Sequence, residues 1–205
     1  MKVLIACEFS GTVREAFAKL GHDAWSCDIE PTDTPGNHYQ GSVLDILNDG
    51  WDLMIAHPPC TYLTVTGNKW MKDEYKDRFP TRQQDRKDGI NFFMQLANAN
   101  IPKIVIENPI GIMSTHWRKP DQIIQPWHYG HEATKSTCLW IKGLPLLNPT
   151  NIVDKGEFVT FKSGKRMTKW YADAANGKTP KERAKIRNKT FQGIADAMAN
   201  QWGVL

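Results

Sequence analysis

Residues 53–60, Leu53-Met54-Ile55-Ala56-His57-Pro58-Pro59-Cys60, constrain this chain more than any other stretch. Four apolar residues read as a short buried strand, and two prolines end it abruptly. A cysteine sits just past the break. In an open α/β sheet the ligand crevice lies at the carboxyl ends of the strands, so Cys60 stands where a nucleophile is useful. Free cysteine is also often buried, and packing under a loop is the competing reading for an isolated thiol.

The flanking sequence repeats the same design. Lys2–Ala6 reads as a first strand, and Val13, Ala16, Phe17 and Leu20 recur at helical spacing after it. The intervening turn, Glu8-Phe9-Ser10-Gly11, offers a close backbone approach at Gly11. It also precedes a helix start whose N–H groups are expected to be unpaired, which makes a common cofactor cradle. A single glycine is not a dinucleotide fingerprint. A second strand, Asp23–Cys27, ends at Asp28, 17 residues after Gly11. An acid at that tip can bind a ribose hydroxyl or bond its own loop backbone. Ile29 offers an apolar face for an adenine. Residues 30–40 read as a loop, and Asp45 is expected at crevice level as a second acid. Lys103–Ile106 reads as a further buried strand that ends in Glu107-Asn108-Pro109.

Residues 61–88 are polar and irregular, and a long loop directly after a candidate nucleophile reads as a mobile lid. A helix follows, from about Gln83 or Asp88 to Asn98. Strands are expected over 122–126 and 136–141, as an antiparallel pair. Thr179-Pro180-Lys181-Glu182 resembles a capped helix start, and a last helix is expected from Thr190 to Gln201. The fold class that follows is α/β: a Rossmann-like, mostly parallel sheet with flanking helices and an antiparallel pair near 122–141. The chain reads as one domain over 1–205 with a basic appendage at 148–188.

The net charge of +4 hides an asymmetry. Residues 155–189 hold eleven Lys or Arg against three Asp or Glu, and the remainder is net acidic. Such a segment suits a polyanionic partner or, equally on charge alone, a solvated surface. The four cysteines are far apart and form no Cys-x-x-Cys pair, which argues against a zinc site and a disulfide framework and for free thiols in a reducing compartment. No metal is expected. No apolar run approaches the length of a membrane span, and the first eight residues meet a charge too early for a signal peptide. The expectation is a cytoplasmic protein with no membrane partner.

The order of these features resembles the cytosine-5 DNA methyltransferase family over most of residues 3–147. Glu8-Phe9-Ser10-Gly11 resembles the turn that wraps the methionine part of S-adenosylmethionine. Asp28 resembles the ribose acid, and Asp45-Ile46 the adenine-binding pair. Pro58-Pro59-Cys60 resembles the motif carrying the nucleophile, and Glu107-Asn108-Pro109 the Glu-Asn-Val motif. The resemblance implies S-adenosylmethionine held by Phe9, Ser10, Gly11, Asp28, Ile29, Asp45 and Pro58, with Cys60, Glu107 and Asn108 as the catalytic set. It implies DNA as the partner, and gives Phe191–Ala195 the part that closes the cofactor pocket.

Three departures shape the expectation. His57 stands where the family has a residue of the Gly-Pro-Pro-Cys type, and either tunes Cys60 or fills space. The base-contacting Arg-x-Arg pair has no match, with Lys135 the nearest substitute. A large target-recognition domain is missing, and the basic stretch with Lys165, Arg166 and Lys169 lies in its place as a candidate phosphate contact. A free cytosine nucleotide is therefore an alternative substrate, and a non-catalytic nucleic-acid-binding module an alternative of another class. Amino-directed methyltransferases carry a polar residue before Pro-Pro and an aromatic after it. His57 and Cys60 fit neither position.

Overall fold

The structure is a computed structural model and describes residues 1–174, 176 and 178–205. Its centre is a seven-stranded sheet. The strands are β1 (Lys2–Ala6), β2 (Asp23–Asp28), β3 (His38–Gln40), β4 (Leu53–Ala56), β5 (Lys103–Pro109), β6 (Gln122–Ile124) and β7 (Thr137–Lys142). Their order is β3-β2-β1-β4-β5-β7-β6. The first five run parallel, and β7 lies antiparallel between β5 and β6. The sheet thus combines a parallel body with an antiparallel pair at one edge. The loop expected over 30–40 ends in an edge strand, β3, that pairs Ser26 to Asp28 with His38 to Gln40. Its short, polar sequence carries no alternation by which a strand could be read.

Alternate side chains of each strand enter two separate cores. Val3, Ile5, Leu53, Ile55 and Val105 pack under α1 (Thr12–Lys19) and, from the far end of the chain, α6 (Gln192–Trp202). Leu4, Met54, Ile104 and Ile106 pack on the other face under α2 (Arg82–Ala97), with α3 (Met113–His116) beside it. Strands covered on both faces read as continuous apolar runs, which is why β1, β4 and β5 were plain in the sequence.

Helix α2 begins at Arg82, so residues 82–88 belong to it and not to a lid. Their polar side chains are good helix formers on an exposed face. The preceding stretch is folded into tight helical turns, with Trp70 packed edge-on against Tyr75 and Phe79. The basic segment is folded as well: a hairpin of β8 (Phe158–Thr160) and β9 (Arg166–Thr168), then α4 (Lys169–Asp173) and α5 (Pro180–Asn188). Helix α5 opens on a complete capping box between Thr179 and Glu182, as its sequence suggests. No helix among the described residues is long and apolar enough to cross a membrane.

Candidate active site

Strand β1 is the turning point of the sheet, since β2 and β3 extend from one side of it and β4 and β5 from the other. A crevice of about 360 Å³ opens at the carboxyl ends of these strands, where open α/β sheets bind their ligands. Its walls carry Phe9, Ser10, Asp28 and Ile29 from the β1 and β2 tips, His57, Pro58 and Cys60 from the β4 tip, and Glu107, Asn108 and Lys135 from the β5–β7 side. Ten of the residues singled out by sequence therefore share one cavity.

Register explains the arrangement. Ala56 pairs with Ile106 in the parallel β4–β5 ladder, so His57 and Glu107 are the next residues out on neighbouring strands. The His57 Nδ1 lies 2.9 Å from the Glu107 Oε2, and both side chains are largely buried. One residue further, the Asn108 amide donates to the Pro58 carbonyl at 2.8 Å. Asn108 thereby ties the Pro-Pro turn to the tip of β5. Its amide is engaged with the chain and holds Cys60 and Glu107 in fixed relation.

The charges are coupled. Burial pushes the Glu107 carboxyl up, but the hydrogen bond from His57 and the positive charge of Lys135 outweigh it and hold Glu107 below its ordinary range. Glu107 is thus a carboxylate that accepts from His57 Nδ1–H. The His57 Nε2 is buried and has no partner among the described residues. Burial pushes the Cys60 thiol up, the charge of Glu107 adds to this, and Lys135 offsets part of it. Cys60 is therefore held as a thiol and must lose its proton to a base as it reacts. Replacing Glu107 by Gln removes the charge that raises the thiol. Alkylation of Cys60 by iodoacetamide at pH 8 should then accelerate severalfold. Peptide mass spectrometry reads this at Cys60 directly, and an unchanged rate would dissociate the carboxylate from the thiol.

The turn after β1 also differs from its reading. Glu8 is buried, and its carboxylate accepts from the Val13 N–H at 2.8 Å and the Arg14 N–H at 3.2 Å. Ser10 Oγ donates to the same carboxylate and accepts from the Thr12 N–H. The helix start expected to be unpaired is therefore capped from within, by the acid of its own turn. Gly11 adopts φ +74°, and a Cβ there would come within 2.7 Å of the Arg14 guanidinium. Its freedom serves the start of α1, and Gly11 is not among the residues lining the crevice. Cys7, which sequence did not single out, lines the crevice with φ +60°. This left-handed conformation is costly for a side chain of this kind, and it turns the chain so that Glu8 reaches back over α1.

Asp28 sits at the β2 tip as expected. Burial pushes its carboxyl up against a hydrogen bond from the Glu30 backbone, and Ile29 beside it is 76% exposed toward the crevice rim. Asp45 lies apart: it follows β3 in a tight turn, outside the crevice lining, and accepts from the Tyr39 hydroxyl at 3.2 Å. Lys165, Arg166 and Lys169 also lie outside the lining, on the β8–β9 hairpin and the start of α4. Arg166 stacks over Phe158, and Lys169 pairs with Glu157.

What enters the crevice from the basic segment is α5 and the turn after it, through Ala184, Arg187, Asn188, Lys189 and Thr190. Lys185 and Lys189 both pair with Asp33, at 2.6 and 2.8 Å. Lys185 also lies over the Phe9 ring, and Lys181 is 3.8 Å from Glu30. The helix thus straps the crevice to the loop after β2. Phe191 and Ile194, from the stretch expected to close the cofactor end, border with Thr190 a small chamber behind His57 and Glu107. Among the described residues, no group of three or more His, Cys, Asp or Glu could hold a metal ion.

No family model matches the chain, and no curated protein matches it. Among solved structures it is similar to a candidate DNA modification methyltransferase encoded within an Escherichia coli prophage, at 17% identity and a TM-score of 0.47. The match covers 87% of this chain and 55% of that one, so the chain spans little more than half the length of that protein.

Proposed function

We propose that this chain is an S-adenosylmethionine-dependent methyltransferase acting on carbon 5 of cytosine in DNA through a covalent cysteine adduct. One observation carries the reading: a single crevice is lined at one end by Phe9, Ser10, Asp28 and Ile29, and at the other by Cys60, Glu107 and Lys135. The first end suits a nucleoside-bearing donor, with a carboxylate at a strand tip for ribose hydroxyls, Ile29 for the adenine, and Phe9 and Pro58 for the aliphatic arm. The donor supplies an electrophilic methyl group. The second end suits a pyrimidine.

Carbon 5 of cytosine is a poor nucleophile until a thiolate adds at carbon 6. In this reading the Cys60 Sγ forms that bond while its proton passes by way of the Glu107 carboxylate to ring N3, which takes up the electron pair displaced from the 5,6 double bond. Carbon 5 then takes the methyl group. Loss of the carbon-5 proton restores the double bond as the thiolate leaves. In a duplex the base must first be extruded from the stack.

The same chemistry on a free cytosine nucleotide is a second reading. It is favoured by the covering of the crevice by α5 and by the position of Lys165, Arg166 and Lys169 outside it. Labelled methyl transfer to duplex DNA, single-stranded DNA and dCMP separates the two. Transfer to none of them would leave a non-catalytic nucleic-acid-binding module as the reading. Asp28→Ala should weaken S-adenosylmethionine binding by about 1–3 kcal/mol through loss of a buried hydrogen-bond pair, and unchanged affinity by calorimetry would remove Asp28 from the site.

A further inference from the structure

We infer that Arg187 of α5, acting with Lys135 across the crevice, forms the site for the phosphate of the target nucleotide. The inference rests on the proposed nucleotide substrate and assigns its phosphate to residues other than Lys165, Arg166 and Lys169, which lie outside the crevice lining. Both side chains line the same cavity as Cys60 and Glu107. Lys135 lies close enough for its charge to act on both of them. Arg187 is held from behind, because its Nη2 donates to the Tyr171 carbonyl at 2.6 Å and its guanidinium carbon lies 3.6 Å from the centre of the Tyr171 ring. Those contacts fix the plane of the guanidinium. They leave its Nε–H buried with no partner among the described residues. A buried cationic donor without an acceptor is costly unless a ligand supplies one.

The donor chemistry fits an oxyanion. A guanidinium fixed by stacking presents its N–H groups in a fork that matches phosphate oxygens, and Lys135 adds a point charge. The position fits the substrate and not the methyl donor. Thr190, three residues beyond Arg187, borders the chamber formed with His57 and Glu107, whereas the residues of α5 that approach Phe9 and Glu30 are Lys185 and Lys181. Arg187 therefore lies toward the end where the base would meet Cys60. Asn188 and Lys189 line the same wall, but Lys189 is engaged with Asp33.

Calorimetry with dCMP, deoxycytidine and a short single-stranded oligonucleotide tests the assignment. The wild-type protein should bind dCMP or the oligonucleotide at least about tenfold more tightly than deoxycytidine. Arg187→Gln should lower affinity for the phosphate-bearing ligand by roughly 10- to 100-fold and leave deoxycytidine and S-adenosylmethionine binding as they were. Arg187→Lys keeps the charge without the fork and should recover part of the loss. Lys135→Gln lies off α5 and should weaken the same ligands even if Arg187→Gln disturbs the helix. Three results would overturn the assignment: no preference for phosphate in the wild type, unchanged affinities in both glutamine variants, or loss of S-adenosylmethionine binding alone, which would give Arg187 to the donor's carboxylate. Binding is read without turnover, so a failure of methyl transfer would sink the proposed reaction and leave this result standing.

Discussion

Cys60→Ser should abolish a covalent complex that the wild-type protein forms with S-adenosylmethionine and a cytosine bearing fluorine at carbon 5. The argument is one of bond accounting. Once the thiolate has added to carbon 6 and carbon 5 has taken a methyl group, only loss of the carbon-5 substituent restores the double bond and expels sulfur. Fluorine cannot leave as a proton does, so the adduct persists and can be seen by denaturing electrophoresis and mass spectrometry. A serine hydroxyl is far less nucleophilic near neutrality, and turnover should fall roughly a thousandfold or more. Binding of S-adenosylmethionine should stay near the wild-type value. Cys60 is already a protonated thiol with its pKa raised by burial and by Glu107, so the charge lost on substitution is small and stability should change little. Glu107→Gln gives the informative contrast. It should make Cys60 easier to alkylate and yet slow formation of the fluorocytosine adduct, because an amide cannot take up a proton and pass it to N3 as a carboxyl group does. Full methyl transfer by Cys60→Ser would end the covalent reading and return Cys60 to a packing role.

The strand tips were legible because each is written twice, as an apolar run and as an abrupt end. Leu53–Ala56 stops at Pro58-Pro59, the Ile104–Ile106 run is carried through Glu107-Asn108 to its end at Pro109, and the structure brings both ends into one crevice. Period-two and helical patterns report burial, so they report elements whose burial is local to the pattern. What they did not report is polar and long-range. Glu8 reads as a turn residue, and only its hydrogen bonds show that it caps α1. Helix α5 buries none of its residues, so no periodicity marks which side faces the crevice. It is held by ion pairs such as Lys185 to Asp33, 152 residues apart in the chain, and charge composition alone left that segment as appendage or solvated surface. Asp45 shows the converse. An acid near a strand tip reads as a ligand residue, while a short 3-10 turn after β3 sets it against Tyr39 and outside the crevice lining.

Arg14 is the side chain whose loss should cost most in stability. It lies on α1, where helical spacing assigns it to neither the apolar face nor a ligand, yet it is 1% exposed. Its guanidinium donates to Ser26 Oγ at 3.0 Å, to the Thr34 carbonyl at 2.8 Å and to the Pro35 carbonyl at 3.0 Å, and its Nε meets Glu15 at 3.1 Å. Gly36 lets the chain pass against it, since a Cβ there would come within 2.8 Å of the guanidinium. Arg14→Ala would take the guanidinium donors away from Ser26 Oγ and from the part-buried Thr34 and Pro35 carbonyls and open a cavity beneath the loop. Each unsatisfied group costs about 1–3 kcal/mol before relaxation, and a total loss of about 3–5 kcal/mol is expected. Arg14→Lys should recover little, because one ammonium cannot reach acceptors spread over a planar fork. The effect should extend to the crevice. The loop that Arg14 holds also donates the Asp33 N–H to the Phe9 carbonyl and the Thr34 Oγ1–H to the Ser10 carbonyl, and offers Asp33 to Lys185 and Lys189 of α5. A loosened loop therefore releases both the Phe9 turn and the strap over the crevice. Urea unfolding and S-adenosylmethionine titration of the same Arg14→Ala sample should show a lowered midpoint together with weakened binding, although Arg14 is not among the residues lining the crevice. A lowered midpoint with unchanged affinity would confine Arg14 to stability, and a midpoint near the wild-type value would show that the loop stands without it.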